Sequence, residues 1–361
     1  MSYFKNKIAN ATTSSSFDDV LIKPAYSSIL PANVDLTLKL NEKLSLSIPI
    51  FSAAMDTITG YDMAQAITAY GGCGPLHKNV DASENIENIK KLRGEFGDSK
   101  PICVSVGVNN TKEEITHMVE AGANVIVVDC AHAHSKSVGE LVQWISQNFP
   151  SVYLIAGNIV TAEAAQFLVE RGANAVKVGI GCGSICTTRI VTGIGRGQID
   201  AIAEVADYCK DKGILVIADG GIRSTGEIVK AIACGADAVM LGNIIAGTDE
   251  CPGDIVEMEG IRYKYYRGMG SYGVMRSNNE GRYNRHLLAT CKRVAEGIES
   301  YVKAKGSVKE ILNSIEWGIK ASFGYFGATN LQEAKEKAVF TRITSSTLSR
   351  SNYHSIDKLI D

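Results

Sequence analysis

Short runs of apolar, mostly β-branched residues recur along the chain. They are separated by stretches whose apolar positions repeat with the period of a helix. The runs are IPIFSAA (48–54), GCGPLH (72–77), ICVSVGV (102–108), NVIVVDC (124–130), VYLIAGN (152–158), AVKVGIG (175–181), LVIADGG (215–221) and AVMLGN (238–243). Between them lie segments such as ASENIENIKKLRGEF and TKEEITHMVEAG. Continuous apolar strands alternating with helices predict a parallel sheet covered by helices. Three segments also repeat one unit: EAGANVIVVD (120–129), ERGANAVKVG (170–179) and ACGADAVMLG (233–242). Each is a helix end, a glycine, a short turn and a strand. A repeated unit with equivalent ends favours radial symmetry. The chain is therefore expected to be α/β, a single TIM (β/α)8 barrel over 1–361, with an open doubly wound sheet as the alternative. In such a barrel the carboxyl ends of the strands carry the active site.

Two segments break this rhythm. GCGSICTTRIVTGIGRGQ (181–198), after the sixth strand, is glycine-rich and longer than an ordinary βα turn. The stretch from about 244 to 306, after the eighth strand, contains YRGMGSYGVMRSNNEGRYNR before helical periodicity resumes at SVKEILNSIEWGIKASFGYFGA. It reads as a long polar loop, with a mobile flap at about 271–300.

Composition narrows the partners. A formal net charge of −2 offers no bulk attraction to nucleic acid or to anionic membranes. No stretch is long and apolar enough to span a bilayer, and MSYFKNKIANATTSSSFDD lacks the apolar centre of a secretory signal. The nine cysteines (73, 103, 130, 182, 186, 209, 234, 251 and 291) mostly sit in apolar runs and form no CxxC pair. Reduced thiols and a cytoplasmic location are expected.

Cys186 is the sharpest chemical candidate. Gly181, Gly183 and Ser184 precede it, and Thr187, Thr188 and Arg189 follow, in a loop expected at the catalytic end of the barrel. Asp219-Gly220-Gly221 and Gly242-Asn243, ending strands seven and eight, resemble a phosphate cradle, to which Ser184 adds a hydroxyl. Asp219 would repel a phosphate and so should face ribose hydroxyls. Asp129, at the end of strand four, could do the same. His132 and His134 form an H-x-H pair better read as hydrogen-bonding within the loop than as a metal site. Arg282 and Tyr283 lie in the flap.

The sequence resembles the IMP dehydrogenase and GMP reductase family over nearly its whole length. FDDVLIKPAYSSILP (17–31), SAAMDTIT (52–59), HKN (77–79), VVDCAHAHS (127–135), AGNIVT (156–161), KVGIGCGSICTTRIVTGIG (177–195), IADGGIR (217–223) and YRGMGS (266–271) carry the likeness. The resemblance implies that Cys186 attacks C2 of IMP, that hydride passes to NAD, and that water hydrolyses the thioimidate to XMP. It assigns Asp219 to the ribose, and Ser184, Gly221 and Gly242 to the phosphate, with Gly220 and Asn243 in the same cradle. Met269 and Gly270, with Glu296, go to the base, Asn158 lies beside the reacting centre, and Met55, Tyr266 and Gly268 are further substrate-binding residues. Asp129, with Gly179 and Gly181, goes to the nicotinamide half of NAD. Arg282 and Tyr283 close over the adduct, with Thr188 an alternative route for the proton from water. A homotetramer is implied as well.

The same resemblance leaves GMP reductase, which uses NADPH, as the alternative activity, and a non-catalytic nucleotide-binding relative as another. The full-length segment carrying Arg282 and Tyr283 favours the dehydrogenase. About twenty-five residues separate HKN from the third strand, so the regulatory CBS module that most relatives insert there is expected to be absent. In the family, potassium binds carbonyls matching Gly181, Gly183 and Cys186 and a C-terminal Glu-Ser-His. Here that segment reads Leu348-Ser349-Arg350-Ser351-Asn352, so weak or absent potassium activation is expected.

Overall fold

In the computed structural model, residues 3–281 and 294–351 are described. Three short strands come first: β1 (Val20–Ile22), β2 (Leu38–Lys39) and β3 (Ser45–Leu46). The barrel strands follow as β4 (Ile50–Ser52), β5 (Cys103–Val106), β6 (Val125–Asp129), β7 (Tyr153–Ile159), β8 (Ala175–Val178), β9 (Leu215–Asp219) and β10 (Ala238–Leu241). They pair in parallel in the order β4-β10-β9-β8-β7-β6-β5.

The eighth stave of the ring is the predicted strand 72–77, reduced to isolated bridges. Cys73 N–H donates to Ile50 O (3.0 Å), and Ser52 N–H donates to Cys73 O (3.1 Å). On its other side Leu76 N–H donates to Cys103 O (3.0 Å), and Ser105 N–H donates to Leu76 O (2.8 Å). This segment joins β4 to β5 and closes the sheet into a barrel. The open-sheet alternative is excluded.

The strands read as unbroken apolar runs because both faces are covered. Every residue of β5, β8 and β10 is buried. Each fully enclosed Ile, Leu or Val stabilises the fold by about 2 kcal/mol relative to exposure. The surrounding helices begin at recognisable caps. Thr111 and Glu114 form a reciprocal capping box on Lys112–Glu120, and Ser224 caps Thr225–Ala233.

The threefold repeat has a physical basis at the amino-terminal end of the barrel. Asn124 Oδ1 accepts from Ile102 N–H (2.7 Å), Asn174 Oδ1 from Leu154 N–H (2.8 Å) and Asp237 Oδ2 from Val216 N–H (2.7 Å). The last residue of each Gly-Ala-Asn/Asp turn thus fastens the start of one strand to its neighbour. It satisfies a backbone donor where the ladder begins.

One expectation is corrected. The stretch 244–306 is not one long loop but carries a three-stranded antiparallel sheet: β11 (Ile255–Met258), β12 (Ile261–Arg267) and β13 (Glu299–Lys303). These strands are largely exposed, with polar residues breaking every apolar run, as in IVEM and IRYKYYR, so a search for continuous apolar runs passes over them. Within the expected flap at 271–300, Tyr272–Gly281 is helical and β13 begins at Glu299. The described residues end with helix Val308–Phe326 against the barrel, helix Leu331–Lys337, β14 (Phe340–Arg342) paired with β1, and helix Ser345–Arg350. Between Asn79 and β5 stands one helix, Ala82–Phe96, and no inserted module.

Candidate active site

The carboxyl ends of the barrel strands open into a cavity of about 1420 Å³. Met55, Asp129, Asn158, Gly179, Gly181, Gly183, Ser184, Cys186, Thr188, Asp219, Gly220, Gly221, Gly242, Asn243, Tyr266, Gly268, Met269, Gly270 and Glu296 all line it. The site residues expected from the sequence therefore converge on one space, although they come from loops spread over more than two hundred positions. Arg282 and Tyr283 lie outside the described residues.

Cys186 sits on a loop clamped from one side. It forms an antiparallel bridge with Gly297. Thr187 N–H donates to Glu296 O (2.9 Å), and Ile298 N–H donates to Ile185 O (3.0 Å). The clamp in turn holds the Gly268–Gly270 turn, through Gly268 N–H to Ile298 O (3.0 Å) and Glu296 N–H to Gly270 O (3.0 Å). Cys186 Sγ lies 3.1 Å from Thr188 Oγ1. A thiol, a hydroxyl and the neighbouring Gly268–Gly270 turn are thus held beside one another by backbone hydrogen bonds. Ser184 Oγ is 3.4 Å from Tyr266 Oη at the neighbouring wall.

The floor of the cavity holds a charge cluster that sequence reasoning missed. Lys177, on β8, is 2% exposed, and its ammonium reaches Asp129 Oδ1 (2.8 Å), Asp219 Oδ2 (2.6 Å) and Asn158 Oδ1. Asn158 Nδ2 donates to Asp219 Oδ2 (2.9 Å) and to Gly179 O (2.6 Å). Lys78 adds a second cation 3.5 Å from Asp129 Oδ2. Burial would raise the pKa of Asp129, but Lys177 and Lys78 outweigh it and hold the carboxyl at about 2. Burial would likewise lower the pKa of Lys177, but Asp129 and Asp219 push it above its ordinary value. The cluster sets two ammonium groups against two carboxylates, and in the Asp129–Lys177 pair each partner favours the charged form of the other. The signal was visible: a lysine at the centre of the apolar run AVKV must find partners inside the barrel.

A second polar tie spans the rim. Arg267, ending β12, makes a forked pair with Asp56 (Nη2–Oδ2 2.7 Å, Nε–Oδ1 3.2 Å), and Asn79 Nδ2 donates to the same carboxylate (2.6 Å). His77 lies beside it, its pKa lowered by burial and by Arg267 against the opposing effect of Asp56. This tie anchors the turn Gly268–Gly270 to the loop after β4.

The expectation for His134 changes. His134 packs its ring on Phe167 (4.9 Å between centroids) rather than hydrogen-bonding within its loop, and His132 lies 6.3 Å from it. Among the described residues no group of three or more His, Cys, Asp or Glu side chains is arranged to hold a metal. The eight cysteines in this part of the chain are unpaired thiols.

A family model described as the IMP dehydrogenase / GMP reductase domain matches residues 14–354. The chain belongs to that family. A relative from Cryptosporidium parvum, named inosine-5'-monophosphate dehydrogenase, is 38% identical over 94% of this chain and 95% of its own length. One of the same name from Borreliella burgdorferi is also 38% identical, over 94% and 96%. A third, from Aquifex aeolicus, is 35% identical over 94% and 95%. The Aquifex alignment runs over 467 positions against a 361-residue chain, so that IMP dehydrogenase carries roughly a hundred or more positions without counterpart here. Among the described residues no helix is long and apolar enough to cross a membrane.

Proposed function

We propose that this barrel oxidises IMP to XMP with NAD as hydride acceptor, through a covalent bond to Cys186. The observation that carries the reading is the placement of the Cys186 thiol at the rim of one cavity whose floor presents two separate carboxylates, Asp129 and Asp219. A cavity of 1420 Å³ exceeds the roughly 300–1,000 Å³ usual for one small ligand and suits two nucleotides side by side.

In this reading Asp219 accepts ribose hydroxyls of IMP. Among the described residues its Oδ1 has no partner, while Oδ2 is occupied by Lys177 and Asn158. The phosphate lies against the backbone of Gly220-Gly221 and Gly242-Asn243, with the hydroxyls of Ser184 and Tyr266 beside it. The base enters the gap between Cys186 and the Met269-Gly270 turn, flanked by Met55, Gly268 and Glu296. The deprotonated sulfur adds to C2, forming the S–C bond as the C2–N3 double bond opens and N3 takes the electron pair and a proton. The hydrogen on C2 then departs with its electron pair, leaving the purine joined to sulfur. Thr188, in contact with the sulfur, is placed to handle the proton of the thiol and later of water. Water next adds its oxygen to C2 and the C–S bond breaks, returning the thiol and giving XMP.

NAD supplies the hydride acceptor when bound. The residues fit it at the Asp129 end, where a carboxylate on the cavity wall can take the hydroxyls of the nicotinamide ribose, with Gly179 and Gly181 nearby. Arg282 and Tyr283 are the pair proposed to close over the adduct. Potassium fits less well. Gly183 O already accepts the Cys186 N–H (3.1 Å), and the Arg189 guanidinium donates to Ile180 O (3.3 Å) beside the same loop. Arg350 stands where a carboxylate would help complete the site. Equal rates in potassium and in a large organic cation are expected; a strong potassium requirement would refute this.

A homotetramer in the cytoplasm is part of the same proposal. Two large exposed side chains, Tyr26 (93%) and Tyr325 (72%), on segments joined by the bond from Ala25 N–H to Tyr325 O (3.0 Å), support a subunit contact on that side. Sedimentation of the purified protein tests the assembly. For the activity, NADH formation from IMP and NAD is expected. NADPH consumption with GMP would mean the reductase instead, and neither activity would leave a nucleotide-binding relative.

A further inference from the structure

We infer that Lys177 is a positioning residue through which the two ligand sites sense each other. An ammonium has three N–H donors. Those of Lys177 go to Asp129, Asp219 and Asn158, and the side chain is 2% exposed, so no donor remains for a ligand. Its effect on binding passes through the two carboxylates. Asp129 ends β6 and Asp219 ends β9, on opposite sides of Lys177 on β8, and one ammonium spans both.

This rests on the assignment of Asp219 to the mononucleotide and Asp129 to the dinucleotide proposed above. Suppose Asp129 is lost. Lys177 then has a spare N–H directed into the same cluster, where the Asp219 carboxylate, already held through Oδ2 at 2.6 Å, offers its second oxygen, Oδ1. That is the oxygen proposed for the ribose hydroxyls, so the mononucleotide must compete with the lysine for it. Asn158 cannot relieve the competition, because its amide N–H groups are already given to Asp219 Oδ2 and Gly179 O. Lys78 cannot act on Asp219 in the same way, since the contacts of its ammonium are with Asp129. A change at the dinucleotide carboxylate is thus transmitted to the mononucleotide without touching it, and by linkage the effect is reciprocal.

The test is a binding cycle without turnover. Calorimetry measures the Kd of IMP alone, or of GMP if the native protein takes that instead, for the native enzyme, Asp129→Ala, Lys177→Met and the double variant. The double variant keeps Lys78 and Asp219 as a charge-balanced pair. Asp129→Ala is expected to weaken the mononucleotide by about fivefold or more, the lower end of ordinary coupling between sites. In the Lys177→Met background the same change should alter Kd by less than about twofold. Lys177→Gln, which keeps a polar side chain of similar reach, provides a second background should methionine at this position not fold. Equal effects in both backgrounds, or no effect in the native one, would overturn the inference. A native protein that binds neither nucleotide would instead remove the functional reading, and this inference with it, before any variant is compared.

Discussion

Replacing Gly179 by alanine should damage binding through packing rather than chemistry. Gly179 adopts φ +146°, a region L side chains rarely occupy, and a Cβ there would overlap the Asp219 carbonyl oxygen and meet Gln198 Nε2 at 2.9 Å. The left-handed backbone costs about 1–2 kcal/mol. The overlap falls on the main chain of a neighbouring barrel strand, which cannot swing away as a side-chain tip can, and adds about 1–3 kcal/mol. The expected loss is about 2–5 kcal/mol, a large part of the roughly 5–15 kcal/mol that holds a domain together. Because the strain pushes on the residue whose carboxylate meets Lys177 and Asn158, mononucleotide affinity should fall with stability. Gly213→Ala is the control. Gly213 has φ +69° but open space around its Cβ position, so it should lose only about 1–2 kcal/mol and keep its affinity. Urea unfolding and IMP calorimetry on both variants decide the matter. Equal destabilisation of the two, or undiminished IMP binding by Gly179→Ala, would show that the contact between the ends of β8 and β9 does not shape the site.

Other outcomes follow from the same structure. Asp129 has a folded pKa of about 2 against an ordinary 3.8, so its ion pairs stabilise the fold above about pH 4, and that contribution is lost as pH falls toward 2. The displacement corresponds to about 2 kcal/mol. The stability difference between the native protein and Asp129→Asn should therefore shrink by about that much between pH 5 and 2, and a constant difference would argue against the ion pairs. Asn174→Ala, distant from the cavity, should cost about 1–3 kcal/mol by orphaning Leu154 N–H while leaving turnover intact. Arg282→Ala should let the covalent adduct accumulate while its hydrolysis slows; unchanged steady-state XMP formation would show that the flap pair was wrongly assigned.

The barrel was legible because parallel strands buried on both faces leave an unmistakable trace of apolar runs at helix-length spacing. The repeated Gly-Ala-Asn/Asp turn was legible for the same kind of reason, since one hydrogen bond is needed at three equivalent places. What escaped notice depends on partners remote in sequence. Lys177 and Lys78 both stood inside the motifs HKN and KVGIGCG, yet only the closed barrel brings them to Asp129. Arg267 and Asp56 meet across 211 positions. The sheet β11–β13 was missed because its strands are largely solvated and polar residues interrupt their apolar positions, so the apolar-run criterion does not apply to them. The candidate cavity residues were found largely through family motifs; glycine and cysteine spacing alone pointed to Cys186 and to the turns after β9 and β10, but not to the clamp formed by Glu296–Ile298.

The central claim is that one sulfur atom becomes bonded to the purine during turnover. Mass spectrometry of the intact protein, quenched while converting IMP with NAD, reads this directly. The expected result is a population heavier by one purine nucleotide, with the added mass on the peptide carrying Cys186 and none in Cys186→Ala. Continued XMP formation by Cys186→Ala would contradict it.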